Sequence, residues 1–245
     1  GGQFQLNADR DGKTISLSGE AASGQINAVN EYNQKVQLSF SNLKADGATE
    51  MTAFEERIGK QKISLDKLAI GVEGKELALL EGMNIDGRST LSDDGKRINS
   101  QLDYNLNSLK LQNQDMGRGK LTVKLDNLDG QAWHQFSQQY NAQAQALMAK
   151  PELAQNPELY QQALTEIFFS SLPILLKGNP SLTISPLSWQ NAKGESTLNL
   201  SVLMQDPAQT TAAPQTVADE LDRSVKSLDG KLVIPVDMAT ALMTQ

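Results

Sequence analysis

The chain has 245 residues, with 22 Lys or Arg against 29 Asp or Glu, a net charge of -7, one histidine and no cysteine. Without thiols there is no disulfide, thiolate zinc site, iron–sulfur cluster or cysteine nucleophile, and one imidazole cannot build a multi-histidine metal centre. The acidic balance excludes the basic stripe that nucleic-acid binding needs, and no apolar run approaches the ~20 residues of a membrane span.

From Phe4 to about Leu128 the hydrophobic period is two. Ile98, Ser100, Leu102, Tyr104 and Leu106 share one parity, and Asn99, Gln101, Asp103, Asn105 and Asn107 hold the other. Val36, Leu38 and Phe40, then Ile63 and Leu65, then Leu121, Val123 and Leu125 repeat the alternation. Such a pattern belongs to an antiparallel sheet with one dry and one wet face. Asp11-Gly12, Asp46-Gly47, Asp86-Gly87 and Asp94-Gly95 suit tight turns, although Asp86-Gly87 falls within an alternating run and reads there as a bulge. The reading is a meander of long strands.

An internal echo runs through this region: Ser39-Phe40-Ser41-Asn42-Leu43, Ser64-Leu65-Asp66-Lys67-Leu68, Leu106-Asn107-Ser108-Leu109 and Leu125-Asp126-Asn127-Leu128. In each, an alternating strand meets a polar pair and then a leucine of shifted parity. A bulge or corner produces this pattern; chance in a Leu/Asn/Ser-rich chain is the alternative.

After Gly130 the period becomes 3.6. Trp133, Phe136, Tyr140, Ala144 and Leu147 form a stripe that ends at Lys150-Pro151. Asn156-Pro157 opens a second helix, with Asn as cap and Pro at the first position. Its stripe carries Tyr160, Leu164, Ile167, Phe168, Leu172 and Leu175, with a kink expected at Pro173 and a stop at Gly178. These two helices make an αα-hairpin. Strands return with Leu182 and Ile184, then Leu198 to Met204, around an Asn191–Gly194 turn. Thr216 is placed to cap a helix bearing Val217, Leu221, Val225 and Leu228, with Asp219/Arg223 and Asp222/Lys226 as i,i+4 pairs. Lys231 to Val236 reads as a short strand, and Asp237 as the cap of a final helix. No signal peptide is visible, and the opening Gly1-Gly2 and the unstopped last helix read as a piece of something longer.

Catalytic and metal motifs fail on inspection. Asn7, Asp9, Asp11 and Gly12 have the opening spacing of an EF-hand loop, but Ser18 stands where a bidentate carboxylate is needed. Gly12-Lys13-Thr14 resembles the end of a phosphate loop, yet Asn7 occupies the required glycine and no helix follows. His134 has no serine in a nucleophile-elbow context and reads as a surface or half-buried helix residue. Asp93, Asp94, Asp126 and Asp129 cluster where turns are expected; a glycosidase-like carboxylate pair, which meets only in space, stays a remote alternative. Cofactors and metals are expected to be absent.

Half of the chain's Phe, Tyr and Trp residues fall on the hairpin: Trp133, Phe136, Tyr140, Tyr160, Phe168 and Phe169. They read either as core that caps the sheet or as a groove that holds an acyl chain. Nine strands at ~4.8 Å make a sheet ~43 Å wide, and each helix covers ~10 Å of it. Four helices would just cover the dry face; with fewer, the sheet curls into a trough or exposes an apolar strip.

Several stretches resemble the YdgA-like family of bacterial envelope proteins. They are residues 3–13 (QFQLNADRDGK), 28–36 (AVNEYNQKV), 74–82 (GKELALLEG), 132–140 (AWHQFSQQY), 186–189 (PLSW) and 222–229 (DRSVKSLD). The resemblance runs across nearly the whole chain. It implies the middle of a longer enterobacterial protein, held by one N-terminal inner-membrane anchor with the remainder in the periplasm. The family is essentially uncharacterised, so no residue inherits a role from it.

The expected fold is α+β: a large twisted antiparallel sheet with an αα-hairpin and one or two further helices packed on one face. Residues 1–129 form the meander, 130–179 the hairpin and 180–245 the returning strands and helix, all as one structural domain. The expected function is non-enzymatic: a periplasmic envelope protein that binds lipid or protein partners through the dry face. The alternatives are a structural or self-associating module, with a homo-oligomer as one form, and a carboxylate-based hydrolase.

Overall fold

The alternation resolves into strands of unusual length. The computed structural model describes residues 2–209 and 216–244. Ten strands form one antiparallel sheet in chain order: β1 (Gly2–Ala8), β2 (Thr14–Val29), β3 (Lys35–Met51), β4 (Arg57–Val72), β5 (Lys75–Leu91), β6 (Arg97–Leu111), β7 (Gln114–Asp129), β8 (Ser181–Asn191), β9 (Gly194–Met204) and β10 (Val225–Val233). Strands β2 to β7 each run 15 to 17 residues, about three times the usual length. The fold is α+β, with α1 (Gly130–Met148), α2 (Pro151–Ala154) and α3 (Pro157–Leu175) between β7 and β8. Helix α4 (Val217–Ser224) precedes β10 and α5 (Val236–Met243) follows it.

Two of the four Asp-Gly pairs turn the chain and two do not. Gly12 and Gly95 sit at φ 69° and 72° in the β1–β2 and β5–β6 turns. Asp46-Gly47 and Asp86-Gly87 instead lie inside paired strands, so neither is a turn or a bulge: Gly47 and Gly87 flank Gln61 of β4 on its two sides. A Cβ on Gly87 would stand 2.8 Å from a Leu102 methyl, so glycine here makes lateral room. The tightest hairpins fall at Glu73-Gly74 and Gln112-Asn113, where both residues take positive φ (52° and 77°, 49° and 66°), the geometry of a type I′ turn.

The echoed polar pairs are corners. Pairing proceeds through Ala21↔Leu43, Leu43↔Leu65, Leu65↔Met83 and Met83↔Leu106, and resumes on the far side at Ser23↔Ser41, Ser41↔Lys67, Lys67↔Glu81 and Glu81↔Ser108. Ala22, Asn42, Asp66, Gly82 and Asn107 are stepped over, in one line across five strands. Asn42 and Gly82 take φ 59° and 63°, and Asn42 Nδ2 donates to Asp66 Oδ2 at 2.7 Å. A left-handed residue within a strand shifts side-chain parity and bends the strand. Leu80 and Met83, three residues apart, therefore face the same hollow. The fourth echo makes a second corner: Asn127, at φ 61°, donates its backbone amide to Asn99 Oδ1 at 2.9 Å.

The hairpin meets the sheet at one end of the strands. Asp129 Oδ1 caps α1 by accepting from the Ala132 amide (3.1 Å), and Asn156 Oδ1 caps α3 from Leu159 N (3.3 Å) with Pro157 next, as the sequence predicts. Phe54, Ile98 and Leu128 form a buried cluster against which Trp133 and Leu175 pack. Asn127 Nδ2 donates to Gly178 O (3.0 Å), which ties the second corner to the exit of the hairpin.

The C-terminal region departs from its sequence reading in three ways. Thr216 does cap α4, accepting from Asp219 N at 3.1 Å, but the helix stops at Ser224. Val225 and Leu228 belong to β10, paired with Met204 and Val202 of β9, because the edge of β9 offers a full ladder that a solitary helix turn cannot match. Asp222 and Lys226 consequently straddle the helix–strand junction and are no helical pair. The strand ends at Val233, and α5 starts at Val236 with Pro235 at its cap, while Asp237 lies in its first turn.

Candidate functional site

Register assembles the dry face into transverse rows. Phe4 pairs with Gly19, and the row continues through Ala45, Ile63, Ile85, Tyr104, Leu121, Leu187, Leu198 and Leu232. Directly paired residues project to the same side of a sheet, so each of the ten strands gives one apolar or glycine residue to a single line. One residue along, Gln5, Ser18, Asp46, Lys62, Asp86, Asp103 and Thr122 form the matching row of the wet face. A charged band and an uncharged band thus lie back to back across the sheet.

The dry band is largely open. Ile63 is 37% exposed, Tyr104 39% and Leu187 44%, although all three stand in the interior of the sheet. Among the described residues, the buried apolar side chains are Phe54, Ile98, Leu128, Ala132, Phe136, Leu176, Pro180, Pro207 and Met238, and most of them lie at the hairpin junction. Helices α1 and α3 pack chiefly on each other, and α5 touches β9.

The corners curve this face into two adjoining hollows. One, of about 400 Å³, is floored by residues such as Leu65, Met83, Tyr104, Leu106 and Leu121. The other, of about 810 Å³, runs under α5 between Leu109, Leu198, Leu232, Met238 and Leu242. Leu187 and Trp189 border both. Trp189 pairs with Gly119, and a Cβ there would stand 2.7 Å from the indole ring, so the ring lies flat across β7. Its Nε1–H donates to Met116 O at 2.9 Å, which fixes it there. Trp189 is thus a low saddle between the hollows. At the far rim, Ser196 Oγ donates to Met238 Sδ (2.6 Å), holding α5 to β9.

The six hairpin aromatics are elsewhere. Trp133, Phe136 and Tyr140 stack in file on α1 with centroids 5.8 Å apart, Phe136 meets Phe168 edge-on at 5.8 Å, and Phe168 meets Phe169 at 5.7 Å. Phe136 is buried, Trp133, Tyr140 and Tyr160 are half-buried, and Phe168 and Phe169 are exposed on α3. None of the six lines either hollow. The Phe136–Phe168 contact joins the two helices, while Trp133 packs on the buried Phe54 cluster at the end of the sheet.

Of the titratable residues weighed in the sequence, His134, Asp9, Asp11, Asp94 and Asp129 are engaged structurally. His134 is half-buried, with Nδ1 3.0 Å from Glu56 Oε1 and Nε2 3.8 Å from Glu55 Oε2, so it ties α1 to the β3–β4 turn. Asp9 accepts from the Thr14 amide through both oxygens (3.1 and 3.2 Å) and Asp11 from Lys13 N (3.0 Å), as hairpin turns do. Hydrogen bonds, first that of the Thr14 amide, hold the Asp9 carboxyl below the usual carboxylate value. Asp94 accepts from Ser92 Oγ (2.6 Å) and Lys96 N (3.0 Å), and its carboxyl is lowered chiefly by the Ser92 hydroxyl. Asp129 caps α1 and lies 3.6 Å from Arg97. Among the described residues, no three His, Asp or Glu side chains gather as metal ligands would.

The trough residues were visible in the sequence only as dry-parity positions within single strands. Trp189 carried no signal beyond its parity with Leu187. The line of paired residues needed the register of nine strand pairs.

An open, bent meander with a helical hairpin at one end is the class of protein that this fold defines. The chain belongs to the family described as "Bacterial protein of unknown function (DUF945)", whose match spans residues 1–245. It is 70% identical over 245 residues to "Protein YdgA" of Escherichia coli (strain K12), covering all of this chain and 49% of that protein. It is 26% identical over 246 residues to "Uncharacterized protein YihF" of the same strain, again covering 49% of the relative. The chain therefore spans about half the length of the curated relatives it matches. No solved structure matches it.

Proposed function

We propose that the chain is a non-enzymatic lipid-binding module of the bacterial envelope, located in the periplasm, that holds acyl chains along the dry face of its sheet. The observation that carries this reading is the transverse row: ten strands in register give an apolar line without a charged side chain, and its middle is open to solvent. Exposed apolar surface on this scale marks a binding surface. Its chemistry selects the occupant. The paired row carries no charge to anchor a polar ligand, although Lys120 lines one hollow and Asp115 and Lys193 the other, whereas hydrocarbon gains ~25 cal/mol per Å² of apolar surface buried, before association costs. A straight helix ~10–12 Å across would bridge the hollows and leave voids, which proteins avoid. A flexible tail fills them. The non-enzymatic reading is supported by the carboxylates of Asp9, Asp94 and Asp129, which are taken up by turn and cap hydrogen bonds.

The test is photolabelling with a fatty acid bearing a reactive group in its tail, followed by peptide mapping. Adducts are expected on β4 to β8 at dry-face positions such as Leu65, Tyr104 and Leu121. Labelling no stronger than that of a soluble control protein would overturn the reading.

One observation favours a second reading, self-association. Strand β1 is exposed along its whole length and carries no charge, so it lacks the usual protections of a sheet edge. Antiparallel pairing of two copies about Gln5 would set Phe4 opposite Leu6 and prolong the dry face into the partner. The chain has no cysteine, so Gln5→Cys provides a clean reporter: a disulfide-linked dimer under mild oxidation supports this pairing, and a monomer refutes it.

A further inference from the structure

We infer that the trough is a through passage for lipid tails, entered at one edge strand and left at the other, rather than a pocket that retains a ligand. The inference rests on the acyl-binding reading above and extends it from holding lipid to transferring it.

Length is the first argument. Nine inter-strand steps of ~4.8 Å carry the row about 43 Å across the sheet. The tails of one bilayer leaflet reach about 15 Å, half of the ~30 Å hydrocarbon thickness. A pocket shaped to retain one tail ends where the tail ends, whereas this row runs on for nearly three.

The ends supply the second argument. Phe4 on β1 is 76% exposed and Leu232 on β10 is 64% exposed, both more open than mid-row Ile63 or Tyr104. The apolar line is therefore most accessible where it meets the edges of the sheet.

The third argument is the uniformity of the floor. Ligand sites fix orientation with a few placed polar groups, and the row has only hydrocarbon, glycine and one phenol along it. A tail has many equivalent positions and no fixed one, which is the condition for movement. The saddle at Trp189 keeps the two hollows joined, because its ring lies flat on Gly119 and its N–H is already satisfied by Met116 O.

The test uses the 245-residue chain with donor vesicles of phosphatidylglycerol that contain a self-quenched tail-labelled lipid, and unlabelled acceptor vesicles. Dequenching is expected to rise in proportion to protein. Phe4→Asp and Leu232→Asp alter one edge each at exposed positions, and Gln5→Asp on the wet side of β1 serves as the control. Each edge variant is expected to slow transfer by about tenfold or more, since a carboxylate in the path must be desolvated by a passing tail, and tail photolabelling on the middle strands, read in parallel, separates slowed passage from lost binding. Gln5→Asp is expected to transfer like the parent. Parental transfer rates in both edge variants, with mid-sheet labelling intact, would show that lipid enters and leaves through the open face and would overturn the passage. A parent that is labelled yet transfers no faster than vesicles alone would also overturn it. A parent that is not labelled at all removes the acyl-binding reading itself, which is a distinct result.

Discussion

Single residues set the junction between sheet and hairpin. Gly130 opens α1 directly against the Phe54 ring, and a methyl group there would collide with it. Gly130→Ala is expected to destabilise by ~1–3 kcal/mol through overpacking, despite the better helix propensity of Ala, as chemical denaturation would show. Removing the cap with Asp129→Ala is expected to cost ~0.5–2 kcal/mol by the same measurement. Phe136 is buried in the hairpin whereas Phe168 is 41% exposed, so Phe136→Ala is expected to cost ~3–5 kcal/mol and Phe168→Ala clearly less. Equal losses would mean that the two rings are equally buried in solution. The Asp94 carboxyl is lowered by the Ser92 hydroxyl and the Lys96 amide. A depressed value in the folded state means that this contribution is complete above the ordinary carboxylate value and is lost as pH falls through the folded one. Ser92→Ala is expected to raise the Asp94 midpoint in an NMR titration; an unmoved midpoint would assign the shift to the backbone.

At the scale of the element, the corners decide shape. Asn42 and Gly82 both hold left-handed backbone within long strands, a conformation that Asn and Gly accept and branched residues resist. Asn42→Gly keeps the left-handed backbone but loses the hydrogen bond to Asp66, so it is expected to cost about 0.5–1.5 kcal/mol in denaturation. Gly82→Val faces the same backbone strain plus a collision with the Asn107 amide. Its expected cost is ~1–3 kcal/mol. Because the corner curves the trough, Gly82→Val is also expected to weaken tail photolabelling; full labelling at reduced stability would separate shape from strain. Strand β10 shows the reverse balance. Its sequence carries a helical stripe through Val225 and Leu228, and pairing with β9 draws those residues into the sheet instead.

Across the whole molecule, the sheet is wide, the helices gather at one end and beside β9, and the dry face stays open. A folded protein of this kind is expected to bind an apolar dye such as ANS in its native state, with its near-UV circular dichroism intact. That combination differs from a molten globule, which binds the dye after losing tertiary signal. Oleate is expected to displace the dye. Dye binding that appears only with loss of the near-UV signal would mean that the face is covered in solution.

Local pattern determined much of this from the sequence alone. The dry and wet parities of Leu102, Tyr104 and Leu106, the caps at Asn156 and Thr216, the hairpin after Gly130 and the corners at Asn42, Asp66, Asn107 and Asn127 all follow from neighbours within a few residues. Those interactions are complete within one strand or one helical turn, so a linear reading can find them. Tertiary structure alone decided that Gly47 and Gly87 flank Gln61 rather than turn the chain, that Val225 joins a strand, and that the hairpin aromatics lie outside both hollows. It also aligned Ile63, Ile85, Tyr104, Leu121 and Leu187 into one line. Register and coverage are long-range properties. They depend on which strands pair and where the helices land, and the hydrophobic period records only that a face is dry, with no account of what lies against it.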